Sequence, residues 1–225
     1  MVLFMPICFP FPYQLGAQLH ASGCRFTLYA PDQDSVHLLL WARRHQPQRI
    51  ALHEYKRGYW TKDVADVVAG QEYSFDVSHD GQTWCVADPY AQAVTGPLIY
   101  QPPYTPSQST RMARCQVVNH ESFDWQGVSS PQRLMHDTVI VETHVKGLTQ
   151  QHPDVEPAQQ GRYLGLVSPA MLAFYQKHHI NCLQLLPITA CLTEPHLLSQ
   201  QKTNYWGYNP YVWMAPDPRY AEKNA

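Results

Sequence analysis

Two apolar runs constrain this sequence more than anything else in it. Val139-Ile140-Val141 opens the first, and Ile180 to Leu186 (INCLQLL) forms the second. Neither alternates polar with apolar residues, so each is expected to be a strand covered on both faces. Between them, Ser168-Pro169 supplies an N-cap followed by proline at the first helical position. Met171, Leu172, Phe174 and Tyr175 then make an apolar stripe at helical spacing. Strand, helix, strand over 139–186 predicts a βαβ unit with parallel strands. A parallel pair with an open edge invites pairing with another chain, so self-association through that edge is expected.

The second run stops at Pro187, and a long loop follows it. That loop contains Asn204-Tyr205-Trp206-Gly207-Tyr208-Asn209-Pro210-Tyr211. Gly207 is open to backbone angles closed to other residues, and Pro210 argues against a continuous helix or central strand. Two readings stand for a loop carrying such large flat side chains. It can cap a core, or it can present aromatic faces to the C–H faces of sugar rings while neighbouring amides bind hydroxyls. Its place beyond the carboxyl end of a parallel strand is where barrel enzymes build their sites.

The front of the chain follows a different pattern. Short strand-like runs occur at 25–30, 36–41, 49–52, 58–64, 72–77 and 83–86. Turn residues separate them, and Asp80-Gly81 is a strong hairpin signal. Strands this short at this spacing predict a β-sandwich over 13–94. Asp32, Asp34, Asp63, Asp66 and Asp76 read as turn or face residues. Trp41, Tyr55, Tyr59, Trp60 and Trp84 read chiefly as packing residues, with a glycan-binding surface as the alternative. Residues 95–134, rich in Pro, Gln, Ser and Thr, read as a linker, with Phe123-Asp124-Trp125 as an anchor within it.

Composition excludes several classes. The formal charge is −2 with no basic block, so no nucleic-acid partner is expected. No run approaches the roughly 20 apolar residues that span a bilayer, so no membrane partner is expected. Prolines at 6, 10 and 12 and the lack of any Lys or Arg before Arg25 make residues 1–12 a lead-in segment rather than a secretory signal. The six cysteines, at 8, 24, 85, 115, 182 and 191, include no CxxC pair and read as free thiols in a reducing, cytoplasmic compartment. The twelve histidines form no ligand motif; His178 and His179 are adjacent and point to different faces of a helix. No metal and no cofactor is expected.

A series of motifs carries a resemblance. Val139-Ile-Val-Glu-Thr-His-Val-Lys-Gly-Leu-Thr149, Gly161-Arg-Tyr-Leu-Gly165, Leu183-Gln-Leu-Leu-Pro-Ile188, Asn204-Tyr-Trp-Gly-Tyr-Asn209 and Ala215-Pro-Asp-Pro-Arg-Tyr-Ala221 occur in that order. Together they resemble the start of the catalytic barrel of isoamylase-type glycogen-debranching enzymes, in the α-amylase superfamily (glycoside hydrolase family 13). Leu15-Gly16-Ala17, Arg25-Phe-Thr-Leu-Tyr-Ala-Pro31 and Asp88-Pro-Tyr-Ala91 resemble that family's N-terminal β-sandwich, an immunoglobulin-like domain related to glycogen-binding modules. The resemblance runs from about Pro12 to Ala221.

The resemblance implies an N-terminal sandwich followed at 135–225 by the first βα units of an incomplete (β/α)8 barrel. It implies hydrolysis of α-1,6 branch links in glycogen or limit dextrin by a retaining pair of carboxylates about 5 Å apart. Its partner would be an α-glucan: glycogen, limit dextrin or maltooligosaccharide. Tyr208 matches the tyrosine that stacks under the sugar at the cleavage subsite, and Asn209 stands where relatives carry a polar residue. Trp206 is the third candidate substrate-binding residue, and with Tyr205 it is also expected to shape the loop. Residues 135–225 fall well short of the roughly 250 of a full barrel. The family's catalytic carboxylates lie on later strands, so no catalytic residue is assigned, Glu142 reads as structural, and the isolated 225 residues are expected to be inactive. The alternative is a stand-alone glycan-binding or regulatory protein without the barrel.

Overall fold

The structure is a computed structural model that describes residues 14–41, 46–56, 58–96, 98, 113–119 and 123–222. The predicted lead-in at 1–12 and much of the predicted linker lie outside the described residues. Among these residues the front of the chain builds two antiparallel sheets. The first has the order β1 (Gly16–His20), β2 (Gly23–Tyr29), β6 (Tyr59–Ala65), β5 (His53–Lys56). The second runs β4 (Gln48–Ala51), β3 (Ser35–Trp41), β7 (Glu72–His79), β10 (Arg114–Gln116), β9 (Val94–Thr95), with β8 (Gln82–Val86) also paired to β7.

All six predicted strand runs are strands. The β7–β8 hairpin turns at Asp80 and Gly81, whose φ values of 47° and 73° are the paired positive angles of a type I′ turn. Strands β1 and β5 were not predicted. Both lie at sheet edges, and their short sequences (GAQLH, HEYK) carry too few apolar residues to show a strand period. Strand β10 lies inside the stretch expected to be linker. Cys115 pairs with Tyr73 and with Val94, and Ala113, Cys115 and Val117 are buried in the sandwich core. A three-residue strand carries no periodicity of its own, so only the pairing reveals it. Phe123 and Trp125, expected to anchor that stretch, stack edge to face on each other and stay exposed.

The core forms where alternate residues of the sheets meet. Phe26 and Leu28 of β2, Val36, Leu38 and Leu40 of β3, and Tyr73 and Phe75 of β7 share one cluster. The intervening Leu39 and Trp41 face the other way and form a second cluster with Cys85, covered by Tyr211. This explains the unbroken apolar run 38–41: β3 is buried on both faces. Trp41 donates its indole N–H to the Ser74 hydroxyl at 3.0 Å, and the Arg114 guanidinium lies 4.0 Å above its ring. Asp88 is sealed in the sandwich. It accepts the Tyr73 hydroxyl at 2.7 Å and the Tyr90 N–H at 2.9 Å. Burial pushes its carboxyl pKa up to about 6 despite these hydrogen bonds.

The predicted βαβ unit is present. Strands β11 (Ile140–Thr143) and β12 (Cys182–Leu185) pair in parallel, Ile140 opposite Cys182. Helices α1 (Val145–Thr149) and α2 (Pro169–Lys177) lie between them in sequence. Ser168 caps α2 through a 3.4 Å bond from the Met171 N–H, with Pro169 in the first turn. The expectation that both strands are covered on both faces fails. Neither strand has a fully buried residue, and Val139, Ile140, Leu172 and Phe174 are exposed. Among the described residues this sheet has two strands, and nothing covers the outward sides.

Candidate functional site

The aromatic loop follows β12, as predicted, and short hydrogen bonds fix its backbone. Asn204 uses both ends of its amide: Oδ1 accepts the Gly207 N–H at 2.8 Å, and Nδ2 donates to both Glu194 carboxylate oxygens at 2.9 and 3.0 Å. Gly207 sits at φ +81°, and a Cβ there would lie 2.8 Å from the Pro187 carbonyl oxygen. Only glycine meets both demands at once.

Across the loop, His144 stacks on Tyr205 with ring centroids 4.0 Å apart and planes 9° from parallel. Its Nδ1 accepts the Lys146 and Gly147 N–H groups at 2.9 and 3.2 Å. The ring proton therefore sits on Nε2, which donates to the Tyr205 carbonyl at 2.7 Å. One side chain thus caps α1 and ties the loop to the end of β11. Tyr220 closes the same pocket of packing, its ring edge-on to His144 at 5.6 Å.

The chain on either side of the loop is laced to itself. Ala190 N–H donates to Ala215, Leu192 to Asn209 and Tyr211 to Ala190 at 2.8, 2.9 and 2.7 Å. Asp217 is buried and accepts from Arg219 Nε and Nη2, one edge of the guanidinium, at 2.6 to 3.0 Å, while Nη2 also donates to the Cys191 sulfur at 2.9 Å. Burial by itself would lower the Arg219 pKa; the Asp217 carboxylate overrides it and raises it. Burial raises the Cys191 thiol, with Arg219 working against the rise, so this cysteine is not set up as a nucleophile.

These supports decide where the three candidate residues stand. Tyr208 is 68% exposed and Trp206 60%, so both rings face outward from a fixed backbone. Trp206 packs edge-on against Tyr205 at 5.7 Å. Asn209 is half-buried, and its amide nitrogen donates to the Leu192 carbonyl at 3.3 Å, so it spends that donor on holding the loop. Sequence reasoning assigned no role to His144, Asn204 or Glu194. Their partners lie 61 residues away for His144 and 10 for Glu194, and no local pattern signals either pairing. Glu142 is exposed on β11 opposite Gln184. His178 ends α2 against the Phe174 ring, and His179 lies beyond it at φ +55°. Beside Tyr205 is a cavity of about 300 Å³, bordered also by Lys146, Gln150, Arg162, Asn204 and Tyr220.

With this geometry in hand, the likeness to known proteins is specific. Residues 14–91 match the family described as carbohydrate-binding module 48 (isoamylase N-terminal domain). Over 93% of its length the chain is similar to curated glycogen debranching enzymes. The enzyme of that name from Yersinia enterocolitica is 36% identical over 228 residues, which cover 93% of this chain and 34% of the relative. The one from Enterobacter sp. (strain 638) is 34% identical over 226 residues with the same coverage. Thus the chain spans about a third of the length of the curated relatives it matches.

Solved structures share the fold at lower identity. The catalytic module of the glycogen-degrading pneumococcal virulence factor SpuA superposes with a TM-score of 0.76 at 20% identity, covering 93% of this chain and 33% of that one. Pullulanase type I from Bacillus subtilis, complexed with maltose, gives 0.74 at 22%, covering 94% and 29%.

Proposed function

We propose that residues 1–225 form the front of a debranching glycoside hydrolase that cleaves α-1,6-glucosidic links in glycogen or limit dextrin. The observation that carries this reading is the outward face of Tyr208, held on a fixed loop beyond the carboxyl end of a parallel strand, in a chain similar to debranching enzymes over 93% of its length. In this reading β11, α2 and β12 begin a (β/α)8 barrel, and further strands cover the exposed apolar faces. Tyr208 stacks on the sugar at the cleavage subsite, Trp206 extends that surface, and Asn209 sets the loop beside it.

The chemistry then needs two carboxylates about 5 Å apart, one as nucleophile and one as acid/base. The buried or half-buried acids around the loop are spent elsewhere: Glu194 holds Asn204, and Asp217 holds Arg219. The catalytic pair belongs to parts of the polypeptide other than residues 1–225. We place the protein in the cytoplasm, in keeping with free thiols at Cys24, Cys85, Cys115, Cys182 and Cys191. Isolated residues 1–225 self-associate through the open edge of the β11–β12 pair.

The test is a debranching assay on glycogen limit dextrin. The natural polypeptide containing residues 1–225 releases linear maltooligosaccharides, and the isolated segment releases none while still co-sedimenting with glycogen. Hydrolysis by the isolated segment would overturn the assignment of the carboxylates elsewhere. Glycogen binding without hydrolysis by the natural polypeptide would leave a glycan-binding protein and sink the enzyme reading.

A further inference from the structure

The cavity beside Tyr205 is separate from the outward face of Tyr208, which is not among its walls. Three cations border it from three parts of the chain: Lys146 of α1, Arg162, and Arg219 of the 218–220 turn. No carboxylate borders it. The charge of Arg219 is met by Asp217 just outside. Lys146 and Arg162 are in no ion pair among the described residues. Arg162 gives Nη1 to the Ala221 carbonyl, a neutral acceptor, so its charge is not offset by that bond.

Lys146 and Arg162 thus put two positive charges on the wall of one cavity whose lining holds no carboxylate, and an anion bound there is attracted to both. A guanidinium fork beside an ammonium suits a tetrahedral oxyanion in particular. The rest of the wall is of another kind: Gln150, Thr203 and the phenol of Tyr205 offer amide and hydroxyl groups. A volume of about 300 Å³ is at the small end of ligand sites, enough for one small molecule and not for a glucan chain.

We propose that this cavity binds the phosphate monoester of a single sugar, with Lys146 and Arg162 holding the phosphate and the amide and hydroxyl wall holding the sugar. The site is independent of the glucan reading above, because its ligand is charged and its walls exclude Tyr208.

Calorimetric titration of the natural polypeptide with glucose 6-phosphate, inorganic phosphate and glucose tests it. Glucose 6-phosphate binds with a Kd below about 1 mM, phosphate binds more weakly, and glucose weakest of all. Lys146→Met weakens glucose 6-phosphate binding roughly ten-fold or more, the loss of one charge-assisted bond. Lys146→Arg restores most of it, and Lys62→Met on the sandwich changes nothing. Lys146 is exposed, so the fold survives its replacement, and an unchanged thermal midpoint checks this. Glucose binding as tightly as its phosphate, binding unaltered in Lys146→Met, or no heat with glucose 6-phosphate up to about 10 mM would each overturn the proposal.

Discussion

Two stretches of similar apolar content bury their apolar residues against different partners in this molecule. Residues 188–217 are mostly irregular, yet Ala190, Leu192, Val212 and Ala215 are buried in the same cluster as the sandwich strands. Tyr211 reaches across to cover Leu39 and Trp41, and donates its hydroxyl to the Ala113 carbonyl at 2.7 Å. Residues 139–186 contain regular strands and a well-capped helix, yet half of their apolar stripe faces outward. Regular structure is therefore not what decides burial. The first stretch packs on the sandwich, while the second buries Val145 and Leu166 in a small cluster against Leu185 and leaves much of its remaining apolar surface uncovered among the described residues. The functional consequence is that the sandwich is more than a neighbour of the aromatic loop: its core holds both ends of it.

The largest expected effect breaks this contrast directly. Val212 is 0% exposed, so Val212→Asp buries an unpaired charge and costs about 4 kcal/mol or more. Because Val212 shares the sandwich cluster, the loss lowers the thermal midpoint of the sandwich itself. The matched change in the other stretch, Leu172→Asp at a 48% exposed position, alters stability by no more than about 0.5 kcal/mol. It reduces self-association in sedimentation. Equal destabilisation by the two changes would show that the two stretches are buried alike and that the contrast is mistaken.

A second effect, about 3 kcal/mol, belongs to the sandwich alone. Asp88 is raised from 3.8 to about 6 in the fold, and each unit of difference corresponds to roughly 1.4 kcal/mol. Below 3.8 the carboxyl is protonated in both states and burial costs little. Between that value and about 6 the unfolded chain releases its proton first, so stability falls as pH rises, and it levels off above. Asp88→Asn removes this slope, read from urea unfolding midpoints between pH 4 and pH 7. An unchanged slope would assign the linkage to other groups.

The loop's tether to β11 gives a smaller effect. His144→Ala removes the bond to the Tyr205 carbonyl and strands the Lys146 and Gly147 N–H groups, at about 1–3 kcal/mol. Hydrogen exchange at those two amides speeds up, while amides of β7 are unaffected. If β7 amides accelerate equally, the tether acts on the whole fold rather than on the loop.

These residues also show what the sequence could reveal. The main sandwich strands were legible because short runs are punctuated by turn residues such as Asp80-Gly81. Strand β10 was not, since its order comes from Tyr73 and Val94, far away in sequence. Helix α2 was legible from Ser168-Pro169, but the exposure of Leu172 was not, because periodicity records which face is apolar and not whether anything covers it. At the site, the sequence marks Tyr208 and Trp206 as loop aromatics without deciding between a core cap and an outward face; their exposure comes from the structure. The supports beneath them could not be read, since a histidine stacked on a tyrosine and an asparagine clamped by a glutamate are accidents of the folded path.

The smallest effect on stability carries the sharpest functional contrast. Tyr208 is 68% exposed on a loop whose hydrogen bonds are made by Asn204, Asn209 and His144 rather than by its own ring. Tyr208→Ala therefore changes the thermal midpoint by no more than about 0.5 kcal/mol equivalent. If the ring stacks on sugar, the same change weakens maltooligosaccharide binding by roughly 0.5–1.5 kcal/mol, the scale of an aromatic stack. Tyr208→Phe keeps the stacking face and restores most of the binding. Asn204→Ala works the other way round: it costs stability through the lost Gly207 and Glu194 bonds, and it weakens sugar binding only by letting the Tyr208 ring wander. Measured side by side, the two variants separate a residue that touches sugar from one that positions it. Equal loss of binding and of stability in both would mean that Tyr208 is part of the loop's framework and that the sugar surface lies elsewhere.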